Sequence, residues 1–332
     1  MDYNFTATDL DNFTATGSIN GPVLAAVFAL EAVVGFIANI IVLSITLYQR
    51  KPFKQPSTIF FTSLILSNLL DALVYLPMTT VATGAEEWIF GSTFEQRKAT
   101  CLFSGVIFWF ILYVTVAVLA AISFDRCLFI VKPYFYKRFM KPWVALIIAV
   151  IPWMIIALIM MLPFVGFGEY GYQFDYGPCY ITFENNMGFV IFRFATLFTF
   201  IIVIIVTSIW TFCFTRRFIR DQSAIAGESV YHVKKMKLFG IFGSMLLAYV
   251  ICYGVSITIG IISAAVTFPH EVYATGMFVF QFSIIATPLI QSYFRPDIVD
   301  SLKSFKNFVY TQIKRQRYSP PSPIRLQTQH KF

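Results

Sequence analysis

Residues Trp143–Phe167 read WVALIIAVIPWMIIALIMMLPFVGF, an unbroken run without one charged side chain. A hydrocarbon core about 30 Å thick needs roughly 20 residues of helix at about 1.5 Å rise each. The run is long enough to cross a bilayer. Six more share its character: Pro22–Leu47, Ile59–Val81, Cys101–Val131, Gly188–Phe214, Leu238–Val266 and Val272–Tyr293. Inside a bilayer no water serves the backbone, so each N–H and C=O must be bonded within the chain, which excludes open sheets and lipid-exposed loops. The expectation is an all-α membrane protein, a bundle of seven transmembrane helices with a short amphipathic helix after the seventh.

Composition agrees. Of 332 residues, 58% are hydrophobic and 13% charged, more apolar than a soluble core requires. A net charge of +8 would suit nucleic acid if spread over a surface, but all except three of the 25 Lys and Arg fall on one side of the predicted spans. They cluster at Arg50–Lys54, Arg126–Lys141, Arg216–Lys237 and from Arg295 onward; only Arg97 and Lys98 lie opposite, and Arg193 lies within a span. Loops rich in Lys and Arg stay cytoplasmic. This predicts a multi-pass plasma-membrane protein with residues 1–21 as an extracellular segment, 22–294 as the seven-helix domain, and 295–332 as a cytoplasmic amphipathic helix and tail. The first 21 residues are polar and lack the basic and apolar regions of a signal peptide, so the first span is expected to direct insertion.

The sequons Asn4-Phe5-Thr6 and Asn12-Phe13-Thr14 could be glycosylated only on the outside. The five cysteines show no metal-binding spacing, and no cofactor or enzyme constellation of nucleophile and base is present. Cys101 and Cys179 both fall on the oxidising side and are paired here as a disulfide, two free buried thiols being the alternative.

The third span ends Asp125-Arg126-Cys127, followed by Leu128-Phe129-Ile130-Val131-Lys132-Pro133-Tyr134. This closely resembles the Asp-Arg-Tyr segment of rhodopsin-like G-protein-coupled receptors. Cys101 precedes Arg126 by 25 residues, the family's separation between its disulfide cysteine and that arginine. Other landmarks resemble the family: Asn39 in the first span, Asp71 in the second, Trp88-Ile89-Phe90-Gly91 in the outer loop, and Trp153 in the fourth. Several are altered. Thr287-Pro288-Leu289-Ile290-Gln291 resembles Asn-Pro-x-x-Tyr with both polar ends replaced. Tyr249-Val250-Ile251-Cys252-Tyr253-Gly254-Val255 resembles Phe-x-x-Cys-Trp-x-Pro, with Tyr253 for tryptophan and Val255 for the kink-forming proline. Gly254 supplies some of the lost flexibility.

The resemblance implies a receptor that passes an extracellular ligand's binding to a heterotrimeric G protein, with arrestin as a further partner. In such receptors the acid holds the arginine while the bundle is closed and releases it on opening. Lys235 stands where some relatives place an acid that latches this arginine; repulsion there predicts ligand-independent signalling. Asp71 implies a sodium and water site with Asn39, Thr115 and Ser283. Thr287, shorter than the family's asparagine, leaves a water network without a held ion as an equal reading. Phe108 occupies the amine receptors' aspartate position and Gln281 the opsins' lysine position, which disfavours a monoamine and excludes a retinal Schiff base. Phe108, Trp109, Tyr253, Phe278 and Gln281 suggest an aromatic cavity for an apolar small molecule or a peptide anchor. If Arg193 faces it, a carboxylate or phosphate ligand fits. Glu31, a further intramembrane acid, is read as contacting either ligand or nearby hydroxyls. Two rivals remain: a receptor-like scaffold or decoy, favoured by the altered sixth and seventh spans, and a seven-helix transporter or channel, disfavoured because neither internal repeat nor charge relay is visible.

Overall fold

The computed structural model describes residues 20–49, 55–162, 171–173, 180–182, 187–223, 230–262, 268–294, 298–304, 307 and 311. The first span is α1 (Gly21–Gln49); the second runs through α2 (Pro56–Leu70), a π-helical turn at Asp71–Tyr75, and α3 (Leu76–Ala85). The third is α4 (Phe94–Val131), and a short helix α5 (Pro133–Phe139) leads to the fourth, α6 (Pro142–Met161). A hairpin of β1 (Gly171–Gln173) and β2 (Tyr180–Thr182) precedes α7 (Met187–Ser223) and α8 (Val230–Ile262). The seventh span is α9 (His270–Gln281) followed by α10 (Ser283–Phe294). The hairpin pairs antiparallel with Tyr172 opposite Ile181, a small β element beside the helices of the described residues. Hydropathy alone does not disclose it.

Among the described residues, six helices are long and apolar enough to cross a membrane: Gly21–Tyr48, Pro56–Ala85, Phe94–Val131, Pro142–Met161, Phe194–Phe218 and Glu271–Tyr293. α8 carries the apolar run Leu246–Ile259 and packs on α9 and α10, completing the seven-helix bundle. α4 is the most buried and touches α2, α6 and α7, whereas α6 turns Leu146, Val150, Met154 and Leu158 outward. Exposed apolar stripes of this kind are stable only against lipid.

Local chemistry sets the boundaries. Pro56, Pro133 and Pro142 each open a helix, where the missing N–H is no loss. The Thr93 hydroxyl accepts from the Gln96 N–H and starts α4 seven residues before the apolar run at Cys101. Pro77 cannot donate to the turn before it; the helix widens, and the Leu76 N–H reaches back to the Asp71 carbonyl. Gly91 sits at φ +138, where any side chain would meet the Arg97 backbone. After the seventh span, residues 298–304 are helical; Ile298 is buried among Val42, Ile65 and Leu69, with Leu302 beside it and Lys303 exposed. An apolar face turned to the bundle and a basic face turned away make this segment amphipathic; Phe305 and Val309 lie outside the described residues.

Candidate functional site

Near the end of α4, at the basic end of the bundle, Asp125 and Arg126 are buried. Arg126 donates to Asp125 Oδ2 from Nε at 3.0 Å and from Nη2 at 2.5 Å. Nη2 also bonds the Ser57 hydroxyl in the first turn of α2, and the guanidinium lies 5.6 Å from the centre of the Phe129 ring. The Tyr136 hydroxyl, on α5, donates to Asp125 Oδ1 at 2.9 Å. Burial first, and then the Asp125 charge, push the Tyr136 phenol above its ordinary range, so it remains a donor. Each oxygen of the carboxylate thus has a different partner, and the arginine is held from three sides. Cys127 is a buried free thiol beside them.

Midway along the bundle lies a polar core. Pro288 has no N–H for the Ile284 carbonyl one turn earlier. The freed carbonyl accepts from Asn39 Nδ2 at 2.9 Å, and the same amide donates to Gly35 at 2.8 Å. Asn68 donates to Asn39 Oδ1 at 3.3 Å. Asn39 is therefore engaged in tying α1, α2 and α10 together; of the residues read as a sodium site it is the one with its amide already committed. Thr115 shares a hydrogen bond with Ser67 at 3.2 Å. Thr287 donates to the Ser283 carbonyl at 2.9 Å and accepts from Tyr249 at 2.5 Å. The Tyr253 hydroxyl lies within reach of Ser283 and Thr115 and feels the Asp71 charge. Replacing the family's tryptophan by tyrosine adds a hydroxyl to this network. Gln291, in the family's tyrosine position, is fully buried, and neither polar atom of its side chain has a hydrogen-bond partner among the described residues.

Above the polar core the rings form a continuous cluster. Phe108 meets Tyr75 at 5.0 Å, Trp109 at 5.5 Å and Phe280 at 5.5 Å between centroids. Phe280 meets Tyr253 at 4.6 Å, and Tyr253 meets Tyr249 at 5.3 Å. Aromatic contact therefore runs from Phe108 down to the Thr287 hydroxyl. Phe278 does not join it: the residue is 38% exposed, and Phe280 takes the inward place. The two are about 200° apart around a helix that turns about 100° per residue, so only one can face inward. Gln281 is buried at the end of α9.

At the opposite end from Arg126, the Trp88 indole donates to the Thr100 hydroxyl at 3.0 Å, packing with Ala82 and Cys101. Cys101 is disulfide-bonded. Cys179, Asn4 and Asn12 lie outside the described residues, as do the side chains of Arg193 and Lys235. Sequence reasoning did not single out Ser57, Tyr136, Asn68 or Phe280, and it placed Tyr249 in the sixth-span motif without its bond to Thr287. A helix opened by Pro133 was a readable signal for Tyr136; Ser57 offered none, because its partner lies 69 positions away.

Comparison with known proteins supports this architecture. A family model described as "7 transmembrane receptor (rhodopsin family)" matches residues 38–290. The Homo sapiens protein titled "Probable G-protein coupled receptor 45" is 32% identical over 135 residues, 39% of this chain and 34% of that protein. Proteinase-activated receptor 3 of Homo sapiens is 27% identical over 256 residues, 75% of this chain and 64% of that receptor. The chain thus spans about a third of the first relative's length and just under two thirds of the second's. The crystal structure of squid rhodopsin matches with a TM-score of 0.74 at 17% identity, covering 96% of this chain and 97% of that one, a likeness of fold.

Proposed function

The chain belongs to the rhodopsin family of seven-transmembrane receptors, and from that premise we propose that it couples an extracellular ligand to a heterotrimeric G protein at its basic end. The basic end is cytoplasmic in this reading, supported by the Lys and Arg distribution. The observation that carries the proposal is the capture of Arg126 by Asp125 and Ser57, with Tyr136 holding the acid. An arginine held this way is a stored contact, released to a partner when the bundle opens. Arrestin would compete for the same cleft. Cys101 pairs with Cys179, and Asn4 and Asn12 carry glycans, in the same outside-to-inside threading.

The ligand binds over the ring cluster of Phe108, Trp109 and Tyr253, with Gln281 as an orienting amide. An apolar small molecule or an aromatic peptide anchor suits such walls. Neither a monoamine bound at Phe108 nor retinal bound at Gln281 has the group it needs there. In the polar core below, Asn39, Asp71, Thr115 and Ser283, joined by the Tyr253 hydroxyl, hold a sodium ion or water in its place. Ring contact between Tyr253 and Phe280 links ligand to that core, and the core links to Thr287 on α10.

A ligand library screened on cells expressing the chain, read by G-protein dissociation, tests recognition and coupling together. The expected result is a response from wild type that Arg126→Ala abolishes at equal surface expression. Unchanged response in Arg193→Ala would remove the idea of an acidic ligand. Ligand binding without dissociation of any G protein would favour the decoy reading, for which the altered motifs of the sixth and seventh spans argue.

A further inference from the structure

Residues Lys132–Trp143 read KPYFYKRFMKPW, and no acidic residue follows before Glu169. α5 lies within this stretch and has two unlike sides. Tyr136 and Met140, one turn apart, are buried in the core shared by α4 and α6, and Tyr136 meets the Phe129 ring edge-on at 5.1 Å. Phe135 and Phe139, also one turn apart, face out: they are 49% and 50% exposed, with ring centroids 4.3 Å apart. The Arg138 guanidinium lies 5.5 Å from the centre of the Phe139 ring. Lys141 bonds the Phe139 carbonyl through its N–H at 2.9 Å, and its side chain is exposed. α6 begins one residue later, and Trp143, 62% exposed, opens the apolar stripe that continues through Leu146, Ile147 and Val150. Rings and cations therefore stand where the lipid-facing surface of α6 reaches the aqueous boundary.

A helix of seven residues is too short to hold itself in water, and two adjoining exposed rings gain nothing from water. The headgroup layer accepts both features, because aromatic rings settle at the boundary while Lys and Arg reach past them to the headgroups. Among the described residues the ion pairs are Arg97 with Glu87 and Arg126 with Asp125, so no carboxylate neutralises Arg138 or Lys141. We propose that this side of α5 docks on anionic phospholipid, with Phe135 and Phe139 entering the headgroup layer and Arg138 and Lys141 binding the anionic headgroups. Continuity of the rings with the Trp143 stripe favours lipid over a soluble partner. Docking also steadies the other side of the helix, where the Tyr136 hydroxyl donates to Asp125. The surface is independent of the coupling reading, since it needs no G protein.

The test uses the full chain in nanodiscs of phosphatidylcholine alone and of an equal mixture with phosphatidylserine, with amide hydrogen exchange measured across α5. Both faces of a nanodisc carry the same lipid, so the result does not depend on how the chain is threaded. Wild type is expected to exchange severalfold more slowly in the anionic bilayer. One basic residue at an anionic surface contributes a factor of about five in affinity, so losing two weakens docking roughly thirtyfold. Arg138→Gln/Lys141→Gln is expected to exchange alike in both bilayers, whereas Arg216→Gln/Arg217→Gln, which removes two exposed charges from α7, should keep the wild-type slowing. Slowing retained by the first variant, or lost equally in both, would overturn the site, the second result showing attraction to the basic end at large. Equal exchange of wild type in the two bilayers would also overturn it. If α5 were then slowed only by adding purified heterotrimeric G protein, the face would belong to that protein.

Discussion

Removing the Ser57 hydroxyl takes one of the hydrogen bonds from the Arg126 guanidinium and leaves Asp125 in place. A hydrogen bond to a charged group is worth about 1.5–3 kcal/mol, so Ser57→Ala should shift the closed–open balance toward open by roughly tenfold or more. Basal second-messenger output should rise in that variant at unchanged surface expression; output no higher than wild type would show that Ser57 does not restrain the arginine. The acid–arginine pair was legible in the sequence because adjacent charges at a helix end resemble a known family's segment. Ser57 and Tyr136 were not, since each meets the pair only through the packing of another helix. Tyr253 was legible as a substitution for tryptophan, but its hydroxyl's place beside Thr115 and Ser283 depends on how α4, α8 and α10 come together. The side chains of α9 show the same limit: Phe278 and Phe280 are chemically identical, and only the helix phase decides which turns inward.

α8 lacks the proline about which the family's sixth span bends, and it remains one helix from Val230 to Ile262. Gly254 stands next to Tyr253, and a Cβ added there would meet nothing within 4 Å. Gly254→Ala therefore introduces no clash and only stiffens the helix, by about 1 kcal/mol. If α8 bends at this glycine during activation, the alanine variant should show lower basal G-protein output than wild type with undiminished surface expression. Equal or higher output would place the bend elsewhere. The opposite arrangement holds at Gly35, where an added Cβ would lie 2.9 Å from Ile284 Cγ2, the close approach that lets Asn39 reach the Ile284 carbonyl. Span existence was readable from hydropathy, whereas span ends were not: α3 runs on to Ala85, α4 begins at Phe94, and α7 reaches Ser223. Caps and polar turns extend helices past the hydrocarbon boundary, where hydropathy carries no signal. The same reason hides α5 and the hairpin, elements of 7 and 3 + 3 residues whose order comes from their neighbours.

For the molecule as a whole, seven apolar runs were enough to outline the bundle, and the one-sided distribution of basic residues is the basis of its proposed threading. What they do not convey is the vertical connection: an aromatic column from Phe108 to Tyr249, a polar core around Asp71, and a sequestered arginine at the basic end. If that connection is a signalling path, releasing the arginine should activate the receptor without any ligand. Asp125→Asn removes the charge that holds Arg126 and keeps the side chain's shape. G-protein dissociation in cells expressing Asp125→Asn, measured against wild type, mock-transfected cells and the double variant Asp125→Asn/Arg126→Ala at matched surface expression, tests this most directly. The account predicts output severalfold above wild type for the single variant and at mock level for the double; a well-expressed Asp125→Asn that dissociates no G protein above mock would contradict it.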